Sequence, residues 1–239
     1  MRKRGTSEQL LREARWRETR MKAKRAMRYP WAHCVLALLA AFAFPAYAQR
    51  LYDDLIAAVQ NDRAAEVRAF IARGVDPNTV DPNGDPLLYT AARAGFAATV
   101  EVLLAAKVNV SAKNRFGDTP LMGAALAGHL EIVRKLRMRG AELEPPGWTP
   151  LIYAATGGHD AVVAYLLDQG ARIDATSPNG TTALMMAVRE GRASTFHLLV
   201  RRGADIHHRN ENGVSALDWA KRGNETEMAD RLRRAGARD

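Results

Sequence analysis

The chain is 239 residues long and carries 35 Lys/Arg against 26 Asp/Glu, a formal charge of +9 that by itself would point to nucleic acid or an anionic surface. Residues 1–48 hold 11 of the basic and 3 of the acidic side chains, so from Gln49 onward the balance is 24 against 23 and the case for a nucleic-acid partner falls away. The single cysteine, Cys34, excludes a disulfide framework.

Residues 1–48 read as a basic leader ending in a signal peptide. From Met27 the sequence is MRYPWAHCVLALLAAFAFPAYAQR: a basic start, an apolar run from about Val35 to Phe44, a proline, then Ala46-Tyr47-Ala48 before Gln49. That order of charged, apolar and small-residue regions is the secretory layout, with cleavage expected between Ala48 and Gln49. The segment before it is long and polar for such a start, which makes Met27 or Met21 an alternative initiator, and Glu8, Glu13 and Glu18 set it apart from acid-poor transit peptides. Cys34 lies at the head of the apolar run, not directly after the small-residue site where a lipid-attachment cysteine would stand. The expected product is periplasmic or secreted. The alternative is an uncleaved apolar segment anchoring the chain in the inner membrane, although the run is short against the roughly 20 residues of a spanning helix.

Beyond the leader one stretch recurs. GDPLLYTAARAGFAATV (from Gly84) is followed by GDTPLMGAALAGHLEIV (Gly117), GWTPLIYAATGGHDAVV (Gly147), GTTALMMAVREGRASTF (Gly180) and GVSALDWAKRGNETEMA (Gly213). Two markers give the period: Gly95, Gly128, Gly158, Gly191 and Asn224 between the helices of each unit, and Gly74, Lys107, Gly140, Gly170, Gly203 and Gly236 at the end of the second helix. Both series step by 33 residues except for one step of 30, at the same place, between the third and fourth units. The sequence here resembles the ankyrin repeat family, whose unit is a β-turn and two helices over about 33 residues with a Thr-Pro-Leu-His signature. The resemblance covers roughly Leu51 to Asp239 and departs from the family at the signature histidine, where Tyr89, Met122, Ile152, Met185 and Asp218 stand. It implies an all-α ankyrin-repeat solenoid of helix-turn-helix units with short β-hairpin-like tips. The units are 49–80 (an N-terminal cap), 81–113, 114–146, 147–176, 177–209 and 210–239 (a C-terminal cap).

The chemistry of a unit agrees with that reading. Thr119 supplies an oxygen for an orphan helix amide, and Pro120 supplies a preset φ without a donor. Leu121, Ala124 and Ala125 give a small-residue face; Ile132, Val133 and Leu136 fall at helical spacing toward the core. Neither helix is long enough to be stable alone, so stacking must supply the burial. The fourth unit is entered by a connection three residues short, containing Pro145-Pro146, which predicts a stubby tip and a notch between it and the third.

The histidines do not assemble into a site. His129 and His159 occupy one repeat slot, which the family fills with histidine for structural reasons; His207 and His208 are adjacent, and adjacent residues seldom present two ligands in one direction; His197 sits beside Phe196 on a second helix. No His-Glu-x-x-His run, phosphate loop or Gly-x-Ser-x-Gly elbow occurs. Asp53-Asp54, Glu142 and Glu144 stand at helix entrances or loop ends, where the helix dipole accounts for them. No catalytic residue, metal, cofactor or small-molecule substrate is therefore expected; the alternative, a metal-binding or enzymatic solenoid, would need polar residues converging from adjacent repeats. The resemblance implies a non-catalytic, monomeric interaction module that takes a protein partner on its tips and concave face. The candidate contact residues are Arg93, Arg115, Phe116, Asp118, Leu126, Trp148, Asn179 and Arg189, with Phe116 and Trp148 as anchors flanking the notch.

Overall fold

Thr119, Thr149, Thr182 and Ser215 open the first helices of four successive repeats in the same way. The side-chain oxygen of each accepts from the backbone N–H three residues on: Met122, Ile152, Met185 and Asp218. The computed structural model describes residues 48–238. Residues up to Tyr52 fall in one compact unit and Asp53 onward in another. Of the first, residues 48–52 are described and helical; the leader's apolar run and the start of its expected cleavage site lie outside the described residues.

In the second unit a helical stretch at 53–60 precedes α1 (Ala64–Ala72). Then come α2 (Leu87–Ala94), α3 (Ala97–Ala105), α4 (Pro120–Ala127), α5 (Leu130–Met138), α6 (Pro150–Gly157), α7 (Asp160–Asp168), α8 (Ala183–Arg189), α9 (Ala193–Arg201), α10 (Ala216–Arg222) and α11 (Thr226–Arg234). These are the helix pairs the repeat pattern requires. At seven to nine residues each they are too short to persist in isolation. The first helices α2, α4, α6, α8 and α10 stack in order to form one layer, while α1, α3, α5, α7 and α9 stack behind them. Ala91, Ala92, Ala124, Ala125, Ala154, Ala155 and Ala187 are fully buried in the first layer, so its helices approach closely. Gly123 carries this furthest: a Cβ there would stand 3.0 Å from the Tyr89 ring.

The slots that carry Tyr89, Met122, Ile152 and Met185 in place of the signature histidine are buried, at 5% exposure or less, and the three aliphatic ones turn a polar position into core. In the last repeat Asp218 makes a capping box instead, accepting from the Ser215 N–H and hydroxyl. The second repeat differs again. Pro86 occupies the cap position, and α2 begins without a side-chain cap.

Both expected turns are present. The second helices end in the left-handed region at Gly74, Lys107, Gly140, Gly170, Gly203 and Gly236, and the first helices do so at Gly95, Gly128, Gly158 and Gly191. Asp62 and Asn224 hold the equivalent positions in the terminal repeats, also at positive φ. At the slot between the helices a second reason for glycine appears. The next repeat lays a side chain on it: a Cβ on Gly95 would stand 2.6 Å from the His129 ring, and one on Gly128 would stand 2.5 Å from that of His159. Those rings donate Nε2–H to the carbonyls of Arg93 (3.2 Å) and Leu126 (2.9 Å), since a carbonyl can only accept. Arg192 does the same for Thr156 one repeat later, at 3.0 Å. The histidine slot thus satisfies the carbonyls left over where the preceding first helix ends.

Among the described residues, β pairing is confined to the isolated bridges Val80–Pro86 and Arg209–Ser215. The tips are shaped by buried polar residues instead. Asp81, Asn114 and Asn210 each accept backbone N–H bonds from two and four residues on, closing the finger around one side-chain oxygen. The shortened fourth connection has no such loop. Pro145 is buried there, and Glu144 accepts from the Arg172 N–H of the following repeat at 3.0 Å.

Candidate partner-binding face

The predicted contact residues separate into a tip pair, a cluster on the first-helix layer, and positions along its edge. Arg115 and Phe116 are exposed on the third tip; Phe116 is 73% exposed, with the Arg115 guanidinium 4.8 Å from its ring centroid. Asp118 and Trp148, at the feet of consecutive tips, meet through Tyr153. The Tyr153 O–H donates to Asp118 Oδ1 at 2.5 Å, and its ring lies 5.9 Å from that of Trp148. Arg93 joins the cluster from α2, beside Tyr89 and close enough to both phenols to act on their ionisation. Phe116 and Trp148 are therefore held by different neighbours.

The electrostatics of the cluster follow from its burial. Both phenols are shifted upward, Tyr153 by burial first and then by the Asp118 carboxylate to which it is bonded. For Tyr89 burial again leads, and Arg93 acts against it while Asp118 and Asp85 add to it. Two neutral tyrosines, a carboxylate and an exposed guanidinium thus present donors and acceptors beside an indole. Next to them a groove of about 400 Å³ runs past Gln60, Asp85, Tyr89 and Arg93.

The remaining predicted residues lie apart from the cluster. The Leu126 side chain is half-buried and its carbonyl is taken by His159. Asn179 shapes its own tip, accepting from Ser177 Oγ at 2.6 Å, and its carbonyl accepts from the Glu211 N–H. Arg189 is exposed over the Trp219 ring at 5.8 Å and 3.5 Å from Glu190. Tyr89, Tyr153 and Trp219 belong to the face but are absent from the sequence-derived set. The signal for Tyr153 was available: it occupies the slot of Gly123 in the preceding repeat, one past the signature-histidine position, so a large polar ring there has to emerge on the first-helix face.

Of the histidines outside the repeat slot, His208 Nε2 donates to the Gly180 carbonyl at 2.8 Å, and His197 lies 3.2 Å from Glu227.

Layered helix pairs, tips joined to the next repeat and a polar-aromatic first-helix face define a helical-repeat interaction module. The family model described as "Ankyrin repeats (3 copies)" matches residues 55–146 and 141–210, and the chain belongs to the ankyrin-repeat family. The solved human ASB11 ankyrin repeat domain superposes with a TM-score of 0.71 at 27% identity, covering 77% of this chain and 84% of that one. Alpha-latrocrustotoxin-Lt1a from Latrodectus tredecimguttatus is 33% identical over 91 residues, 38% of this chain and 6% of the toxin. Ankyrin repeat domain-containing protein 29 from Danio rerio is 42% identical over 57 residues, 23% of this chain and 19% of that protein. The chain thus spans under a fifth of the length of these curated relatives.

Proposed function

We propose that this protein is a non-catalytic interaction module exported to the cell envelope, where it binds one protein partner through the tips and concave first-helix face of its repeats. The observation that carries the binding reading is the Arg115–Phe116 pair: a ring exposed at a tip, under a guanidinium, contributes little to the core and is the kind of anchor that interfaces use. Trp148, Tyr153 and Arg93 extend the same surface. Export rests on the Ala46-Tyr47-Ala48 ending of the apolar run.

The test is capture of partners from the native envelope fraction with wild-type protein, followed by titration of the captured protein against variants. Phe116→Ala and Trp148→Ala are each expected to weaken binding by at least about 1 kcal/mol. Normal binding by both removes the tips from the interface. N-terminal sequencing of the exported protein is expected to begin at Gln49. A chain recovered intact from the membrane fraction instead supports the anchored form, and a full-length cytosolic chain ends the export reading.

A further inference from the structure

The second-helix layer carries an apolar groove of about 700 Å³ across the C-terminal turns of α1, α3 and α5. The sequence explains its position. The residue two before each repeat-ending turn is Ala72, then Ala105, then Met138, whereas the later repeats place Asp168, Arg201 and Arg234 there. Two alanines leave a depression between Ile71 and Leu104, and Met138, 75% exposed, closes its far end. An exposed methionine beside small residues is an adaptable apolar surface.

Its charges are one-sided. Arg68 and Arg139 line the groove and are exposed, and among the described residues no carboxylate pairs with either. Arg139 donates to the Leu104 carbonyl at 2.7 Å, which offsets the partial negative charge of that helix end. The carboxylate of Glu101 is already taken by Lys135. An occupant therefore needs apolar anchors for the floor and carboxylates for the guanidinium groups of Arg68 and Arg139, which no carboxylate pairs with among the described residues.

We infer that this groove is a second docking site, for an acidic amphipathic helix of a protein partner. Three helices packed at about 8–10 Å spacing give a floor of roughly 20 Å, the length of a helix of roughly 14 residues. Laid across them, such a helix sets leucines at i and i+7, about 10 Å apart along its axis, against Ala105 and Met138 while glutamates flank Arg68 and Arg139. A bilayer fits the site less well, because the apolar floor is a depression lined across three helices and not a protruding apolar surface. The site lies on the helix layer opposite the tip cluster and does not depend on the partner proposed there.

The probe is a fluorescently labelled, end-capped synthetic helix of roughly 14 residues with that leucine and glutamate pattern, titrated by anisotropy against the full chain. Saturable binding is expected, weakened at least about tenfold by Met138→Glu or Arg68→Glu and by exchanging the peptide's glutamates for lysines, and unchanged in Trp148→Ala. Circular dichroism melts confirm that the variants are folded. Absence of saturable binding, equal binding of the lysine peptide, or indifference to Met138→Glu overturns the proposal. So does binding of phosphatidylglycerol vesicles that the glutamate peptide does not displace, which assigns the face to a membrane. Concentration-dependent sedimentation abolished by Met138→Glu also overturns it, by assigning the groove to a second copy.

Discussion

Tyr153 and Asp118, from consecutive repeats, share a hydrogen bond of 2.5 Å that ties the foot of one tip to the first helix of the next. Burial and the carboxylate both disfavour the phenolate, so the folded protein holds the Tyr153 proton well above the ordinary range. The unfolded chain releases that proton near pH 10, so the contribution to stability is fully present below about pH 10 and is lost as pH rises through the folded-state value. Denaturant midpoints are expected to fall between about pH 9 and about pH 11, and to fall less in Tyr153→Phe. In an absorbance titration Asp118→Asn should bring the Tyr153 ionisation part of the way down, leaving the part that burial causes. An unchanged titration in that variant would separate the two residues.

His159 rests on Gly128, and the contact predicts a coupling. Gly128→Ala places a Cβ on the ring and forces a side chain to φ 78°, which should cost about 2–4 kcal/mol. His159→Ala removes the bond to the Leu126 carbonyl and should cost about 1 kcal/mol. The double variant is expected to lose less than the sum, because the clash needs both partners. Strict additivity in urea unfolding would place the ring elsewhere.

Lys107 has φ 57°, while glycine fills the same slot in the other repeats with nothing within 4 Å of where its Cβ would be. The slot therefore tolerates a side chain sterically and penalises only its backbone. Lys107→Gly should stabilise the fold by up to about 1 kcal/mol, reduced by whatever the cation contributes at the end of α3. Gly140→Lys should destabilise by a similar amount. Denaturation midpoints of the two variants are expected to move in opposite directions.

The two tip rings differ in what their loss costs. Phe116 is exposed, so Phe116→Ala should change stability by no more than about 0.5 kcal/mol. Trp148 is half-buried against Tyr153, and Trp148→Ala should cost about 1–2 kcal/mol. Thermal melts of the two variants, run beside the partner titrations, separate packing from recognition at Trp148. Equal melting temperatures would mean that the indole contributes only at the surface.

The repeat period, the helix starts at Thr119 and Thr149, the left-handed turns and the buried faces of α4 and α5 were legible in the sequence because each is set within a single unit. A glycine that must take positive φ and a hydroxyl that must meet the third amide announce themselves locally. The sequence also determined that His129 and His159 have one shared task, since they recur in one slot. The task itself, capping the previous repeat's carbonyls across 36 and 33 residues, exists only between units. The same holds for the meeting of Asp118, Trp148 and Tyr153, and for the groove before Met138. Side-chain direction and spacing between stacked helices depend on which residue of the neighbouring repeat is small. Gly123 and Ala105 decide that in three dimensions, where a string read one unit at a time shows only a small residue in a helix.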